Sequence, residues 1–289
     1  MNFSSAFKYP FQNFAKVMSI VLALTIALSV FSAMVLNTYD WLPFLQALSG
    51  FGASESDLVT VAPVGGATII GALGFLLTAT VSGFWLSGYS IEVIRAVMRE
   101  DEWMPGIDFG RNVKDGALLF VSSAAYWLLL ILLIAVLAVA IGLIGRIEFL
   151  GMVGAIASIV IIVGSVFVMG WGYFVGMARF AAEGDYKASW QIWRNMRAAR
   201  EHKGAGLTLL LYMIAFSIIY GIVRQIVDGL FGGLMGANLL AGITLSIIIY
   251  YIFNLMQHFS TQVLIAQYAT EIGIRSDYYD PEKDKVDAF

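Results

Sequence analysis

Long stretches without a charged side chain alternate with short charged segments along this chain. The charge-free stretches are residues 17–39, 58–91, 116–145, 149–178, 204–223 and 229–270. A helix needs about 20 apolar residues to cross a bilayer, so each stretch can hold one crossing. The stretches are apolar all round, unlike the surface helices of soluble domains. The pattern predicts an all-α polytopic membrane protein, a bundle of about six transmembrane helices in three hairpins with interfacial amphipathic helices.

The predicted helices fix the domain organisation. Residues 1–275 form a transmembrane domain with two longer loops, 92–115 and 179–203, and residues 276–289 form a charged tail that we expect to be disordered. Glycines between Gly229 and Gly236 predict the turn between the fifth and sixth crossings. The sixth helix is then expected from about Leu239 to about Thr270.

Basic residues are distributed unevenly between the two sides of this topology. Of the 17 Lys and Arg residues, only Arg146 and Arg224 fall on one side, and the other fifteen fall on the side of both termini. Positive charge accumulates on cytoplasmic loops of membrane proteins. The distribution predicts a multi-pass protein of the cell (cytoplasmic) membrane with both termini in the cytoplasm.

Composition agrees with the membrane assignment and narrows the chemistry. The chain is 60% hydrophobic and 13% charged, whereas soluble domains are about 45–50% apolar and about 25% charged. A net charge of −3 gives no basic field for nucleic acid. Cysteine is absent, which excludes disulfides and thiolate chemistry, and His202 and His258 are the two histidines. We predict no catalytic residue, metal ligand or cofactor, and no enzymatic activity.

The segment from Gly88 to Gly116 is the most distinctive part of the chain. It contains Gly88-Tyr89, Arg95, the acids before Trp103-Met104-Pro105, Asp108-Phe109-Gly110 and Asp115-Gly116. We expect a folded loop that rests on lipid headgroups, with Asp108 capping the next helix. The alternative, an oxygen-ligated cation site, matches no calcium-loop spacing.

These residues resemble the bacterial and archaeal membrane family known only as domain of unknown function 4013. Residues 178–190 are similar to that family's second cytoplasmic loop. The resemblance covers most of the chain. It implies a six-helix type of membrane domain and implies no activity, because none is established for the family.

Residues 186–203 predict a basic amphipathic helix. Ile192, Met196 and Ala199 share one face; Arg194 lies mostly opposite, and Arg197 and Arg200 lie nearer the apolar side. Such helices favour the surface of anionic membranes. The candidate membrane contacts are Trp190, Trp193, Arg194, Arg197 and Arg200. The alternatives are packing on the protein's own bundle and a partner-protein groove.

The sixth predicted helix carries a polar stripe at membrane depth. Its members follow helical spacing and are Asn254, Gln257, His258, Thr261 and Gln262. Polar groups in lipid must face a partner or a cavity. Hydrogen bonding between helices is one interpretation, and a path for a polar ligand or a proton is the other.

Small residues and near-repeats give further expectations. The glycine pairs Gly172-x-x-x-Gly176 and Gly151-x-x-Gly154 predict close helix contacts. Arg224 and Asp228 are spaced to pair on one helix. The segments after Arg95 and Arg179 each end in acids, which suggests an internal repeat with a looser copy at Gln267…Glu271; the positive-inside rule alone can produce the same pattern.

These observations favour a non-enzymatic membrane component: a scaffold, an accessory subunit or a lipid-organising protein. The alternative is a transporter or channel for a neutral or lipidic solute. The expected partners are the bilayer with its anionic headgroups and, beyond it, another membrane protein or a second copy of the chain.

Overall fold

The computed structural model describes residues 1–38, 66–144, 148–237 and 239–275. Within these ranges the chain forms nine helices and no strand. They are α1 (Phe3–Gln12), α2 (Phe14–Thr38), α3 (Gly66–Met98), α4 (Phe109–Ile144), α5 (Glu148–Glu183), α6 (Lys187–Trp190), α7 (Ile192–Glu201), α8 (Lys203–Ala237) and α9 (Leu239–Glu271). The all-α prediction is confirmed. The predicted tail and the hairpin tip at Arg146 lie outside the described residues.

Four of the described helices are long and apolar enough to cross a membrane. They contain the stretches Ala72–Met98, Phe109–Gly142, Met152–Glu183 and Lys203–Val227. Because no water is available in the bilayer core, the backbone satisfies its hydrogen bonds within each helix. The other two predicted crossings coincide with α2 and α9, whose side chains are only partly described.

The helices extend beyond the charge-free stretches. α3 runs to Met98 and α4 begins at Phe109, so the predicted loop 92–115 contains only about ten non-helical residues. Asp108 does cap α4, since its Oδ1 accepts a hydrogen bond from the Arg111 N–H at 3.0 Å. Charged residues expected in a loop therefore lie on the helices themselves, where neighbouring helices can contact them.

Two predicted boundaries are wrong. Residues 229–236 are helical, because α8 continues to Ala237. A glycine costs about 1 kcal/mol in a helix, which is less than an unbonded backbone group costs in lipid. Residues 186–203 are divided into α6 and α7 at Gln191, whose ψ of 60° is not helical.

The chain divides into two compact units. One contains residues 15–83, and the other contains residues 1–14 together with 84–289. In the larger unit α8 packs on α9, α5 packs on α4, α6 and α7, and α1 packs on α9. Arg224 of α8 lies over the ring of Tyr250 on α9, 4.4 Å from its centroid. The side chain of Asp228, its predicted partner, lies outside the described residues.

Helices α3 and α4 cross in direct backbone contact. A Cβ atom added to Gly88 would lie 1.8 Å from the Asn112 carbonyl oxygen. A Cβ added to Gly116 would lie 1.7 Å from the carbonyl oxygen of Phe84. Two glycines on facing helices thus remove the side chains that would hold the backbones apart.

Three helices are followed by a residue with a positive φ angle. Among the described residues, positive φ angles occur at Glu100, Gly184 and Gly273. The turns at Glu100 and Gly273 are closed by matching hydrogen bonds, as in a Schellman motif. Asp101 N–H donates to the Ala96 carbonyl oxygen, and Ile274 N–H donates to the Ala269 carbonyl oxygen. When the three segments are aligned on their positive-φ residues, Arg95 and Arg179 correspond to Tyr268 of α9. This alignment differs by one residue from the repeat suggested by the sequence, in which Gln267 corresponds to the two arginines.

We define the basic end of the larger unit as the end that carries α1, residues 99–108, α6 and α7. Hydrogen bonds tie α1 to the segment 99–108 and to α9. Asn13 Oδ1 accepts from the Met104 N–H at 2.9 Å, and Gln267 Oε1 accepts from the Asn2 N–H. Burial raises the pKa of the Tyr9 phenol on α1 well above its ordinary value, and the negative charge of Asp101 adds to the effect.

Candidate functional site

Asn195 fixes helix α7 to the bundle. Its side chain is fully buried. Its Oδ1 accepts from Arg179 Nη1 at 3.0 Å, and its Nδ2 donates to Tyr126 Oη at 3.1 Å. The second amide proton faces the carbonyl oxygens of Ala188 and Ser189. A buried amide with this many partners is costly to displace, so α7 is held in one orientation on α5.

Two glycines of α5 let α7 approach closely. A Cβ on Gly172 would lie 2.8 Å from Met196 Cγ, and a Cβ on Gly176 would lie 3.0 Å from Asn195 Nδ2. The predicted close contact at Gly172-x-x-x-Gly176 is therefore confirmed, although its partner is the short helix α7. The second predicted pair fails at Gly154, where no atom lies within 4 Å of an added Cβ.

Trp190 is anchored by the protein. Its indole N–H donates to Ser122 Oγ on α4 at 2.9 Å, while 47% of the residue is exposed. Ser189 donates to the same hydroxyl oxygen at 2.7 Å. Trp190 thus attaches α6 to α4. Only the exposed part of its ring is accessible for the predicted membrane contact.

The outward face of α7 is aromatic and basic. Trp193 is 77% exposed, and Arg197 and Arg200 are exposed beside it. Arg194 lies on another side of the helix, where its Nη1 donates to Gln191 Oε1 at 3.1 Å. This division agrees with the helical spacing, which placed Arg197 and Arg200 nearer the apolar face than Arg194.

A groove runs between α5, α7 and the first residue of α8, with a volume of about 620 Å³. Its lining is Val168, Trp171, Trp193, Met196, Arg197, Ala199, Arg200 and Lys203. A second groove of about 260 Å³ shares Val168 and Met196 and continues along α5 past Gly164 and Ile161. The adjacent pair has a part lined by three basic residues and a part lined mainly by apolar residues of α5. We call it the α5–α7 groove.

The polar stripe of α9 bonds to two different helices. His258 Nε2 lies 2.6 Å from Ser90 Oγ on α3, and Gln257 Nε2 donates to Ser217 Oγ on α8 at 2.9 Å. Thr261 Oγ1 donates to the Gln257 carbonyl oxygen of its own helix. Asn254 is exposed, and Gln262 is buried with no hydrogen-bond partner for its Oε1. These contacts match the hydrogen-bonding interpretation.

The Ser90–His258 pair resembles half of a catalytic dyad, but Ser90 has a second acceptor within hydrogen-bond distance. The Ser90 hydroxyl has one proton and donates it to the Leu86 carbonyl oxygen at 2.8 Å. In that arrangement His258 Nε2 donates to Ser90 Oγ, whereas a general base accepts from its nucleophile. We interpret the pair as a bond that joins α3 to α9.

This interpretation predicts that Ser90 is unreactive. A fluorophosphonate probe added to the full-length protein in detergent should label it no more than it labels Ser90→Ala, because the hydroxyl is buried and committed to a carbonyl oxygen. Mass spectrometry of the digested protein would detect an adduct. A probe adduct on Ser90 that disappears in His258→Ala would contradict this assignment and favour an enzyme.

A buried charge cluster connects α3, α4 and α5, and the sequence alone did not predict it. Arg95 Nη1 lies 2.6 Å from Glu92 Oε1 and 3.3 Å from Asp115 Oδ2. Arg95 Nε donates to the Ala181 carbonyl oxygen at 2.9 Å, and Arg111 Nε lies 3.0 Å from Glu92 Oε1. Glu92 and Arg95 follow each other at i, i+3 directly after a charge-free stretch, which was the available signal.

The described residues contain no group of three His, Asp or Glu side chains that could hold a metal ion. In the segment 99–108, Asp101 pairs with Arg99 at 3.1 Å, while Trp103 is 69% exposed. The acids of this loop do not converge on a common point in the structure. Trp103 is accessible for the predicted contact with lipid headgroups, which stays a prediction.

These features define an α-helical multi-pass membrane protein with a basic, tryptophan-bearing helix docked beside its apolar helices. The chain belongs to the family described as "Protein of unknown function (DUF4013)", whose model matches residues 72–231. That range contains α4 to α7 and the Gly88–Gly116 crossing. No curated protein matches the chain. No solved structure matches it either.

Proposed function

We propose that this protein is a non-enzymatic component of the cell membrane that organises anionic lipid at its cytoplasmic face. The observation that carries the proposal is the outward face of α7, where Trp193 is 77% exposed beside Arg197 and Arg200. Tryptophan favours the membrane–water interface, and each basic residue near an anionic surface contributes about 1 kcal/mol of attraction.

The docking of α7 supports this proposal. Asn195 and Ala199 bury the opposite side of the helix against α5, so the exposed residues cannot turn inward. A rigid helix loses little conformational freedom when lipid binds, which favours binding. The helix is therefore a pre-formed surface for lipid, whereas a flexible basic loop would first have to become ordered.

The orientation is part of the proposal. The predicted topology puts fifteen of the 17 Lys and Arg residues on the side of both termini, and such sides face the cytoplasm. Both termini then lie in the cytoplasm, where anionic lipids give the leaflet a negative surface potential. The alternative of transport has less support, because two residues of the polar stripe, His258 and Gln257, bond to α3 and α8.

We expect a label at position 193 to lie in the lipid and a label at position 194 to lie in water. The chain contains no cysteine, so Trp193→Cys and Arg194→Cys can each carry one nitroxide in full-length protein reconstituted into phosphatidylglycerol nanodiscs. Power saturation should show collisions with oxygen dominating at 193 and collisions with a water-soluble nickel chelate dominating at 194. Equal accessibility of both labels to the chelate would contradict the proposed surface.

A further inference from the structure

The α5–α7 groove has the two-part character of a phospholipid. Its upper part, of about 620 Å³, has Arg197, Arg200 and Lys203 at the edge, and none of the residues that line it is acidic. Its continuation, of about 260 Å³, is lined mainly by apolar residues of α5 and by Met196. Three positive charges beside an apolar slot complement an anion that is covalently joined to a hydrocarbon chain.

The groove is open where a hydrocarbon chain would have to lie. A Cβ added to Gly164 would meet no atom within 4 Å. Ile161 and Val168, one turn on either side, are also exposed at the bundle surface. A membrane protein surface of this kind is covered by lipid tails, so the slot needs no opening movement to receive one.

We infer that the α5–α7 groove holds one phospholipid, with its phosphate at Arg197, Arg200 and Lys203 and one acyl chain along α5 past Gly164. This inference deepens the proposed function, because it replaces a general attraction to anionic membrane by a site of defined headgroup charge and chain path. Arginine and lysine both bind phosphate, arginine through paired N–H donors and lysine through a mobile charge.

Native mass spectrometry of the full-length protein in detergent can test the site. The protein is titrated with phosphatidylglycerol and with phosphatidylcholine of the same acyl chains. We expect preferential retention of one phosphatidylglycerol. Arg200→Gln combined with Lys203→Gln should weaken that binding about 25-fold, because each basic residue near an anionic lipid contributes about fivefold.

The acyl-chain path has its own variant and control. Gly164→Leu fills the open slot, so it should reduce phosphatidylglycerol retention at least tenfold while leaving the fold intact. Gly154→Leu is the matched control, since Gly154 lies on the same helix, has open space around it and does not line the groove. Wild-type retention is expected in that control.

Three outcomes would overturn the inference. One is equal retention of the two lipids, and another is wild-type binding by both Gly164→Leu and the double Gln variant. The third is displacement of phosphatidylglycerol by an equal concentration of glycerol phosphate, which would make the ligand a soluble phosphate. Each outcome leaves the nitroxide depth at position 193 unaffected, so failure of this site differs from failure of the membrane-surface proposal.

Discussion

Replacing Gly116 by alanine is expected to prevent α3 and α4 from reaching their native crossing. The new Cβ would lie 1.7 Å from the Phe84 carbonyl oxygen, so one backbone must move by more than an ångström. The obstacle is backbone and cannot rotate away as a side chain would. We expect a destabilisation of about 4–5 kcal/mol or more, the range of the most damaging single substitutions.

Thermal unfolding of the purified full-length protein in detergent measures this effect. Gly142→Ala is the matched control, because it lies on the same helix and an added Cβ there meets no atom within 4 Å. Alanine has the higher helix propensity by about 1 kcal/mol, so the control should be neutral or slightly stabilised. If Gly116→Ala and Gly142→Ala melt at the same temperature, the close crossing is incorrect.

Replacing Arg95 by methionine is expected to lower the free energy of unfolding by about 3–5 kcal/mol, because the buried carboxylates of Glu92 and Asp115 lose the guanidinium that they share. Only 3% of the Glu92 side chain and 14% of the Asp115 side chain are exposed. The Ala181 carbonyl oxygen would lose the N–H that connects α5 to α3. Methionine nearly keeps the volume of the side chain, so the effect should arise from charge and hydrogen bonding.

Two further variants separate this mechanism from general damage. Arg99→Met removes an exposed arginine that pairs with an exposed Asp101, and such pairs contribute about 0–1 kcal/mol. Adding Glu92→Met to Arg95→Met removes a buried carboxylate that has lost the Arg95 guanidinium, so the double variant should be at least as stable as Arg95→Met in the same melting experiment. Additive losses would show that the cluster does not act as a unit.

The sequence predicted the crossings well because the bilayer imposes a simple condition on them. Runs without charge coincide with the six long helices of the described residues, four of which are long and apolar enough to cross a membrane. The same criterion failed at the helix ends. It treated Glu92, Arg95 and Asp115 as loop residues, although paired charges remain on a helix when neighbouring helices bury them.

Tertiary contacts decided the features that the sequence did not reveal. Residues 186–203 contain no proline that would break a helix. The backbone angles of Gln191 are nevertheless not helical, and its side-chain oxygen accepts a hydrogen bond from Arg179. The roles of Gly88 and Gly116 depend on which helix lies opposite, and a single sequence does not specify that. The prediction of a turn at Gly229–Gly236 was wrong, because glycine interrupts a helix less readily in lipid than in water.

The attachment of α7 has a consequence for its response to ionic strength. α7 is held on α5 by the Asn195 amide, by the carbonyl oxygens around it and by Gly172 and Gly176, and these contacts hardly depend on dissolved ions. Attraction between its exposed arginines and an anionic surface does depend on them, since the screening length is about 8 Å at physiological salt and about 3 Å at 1 M. Added salt should therefore weaken the binding of α7 to lipid, while its packing on the protein stays unchanged.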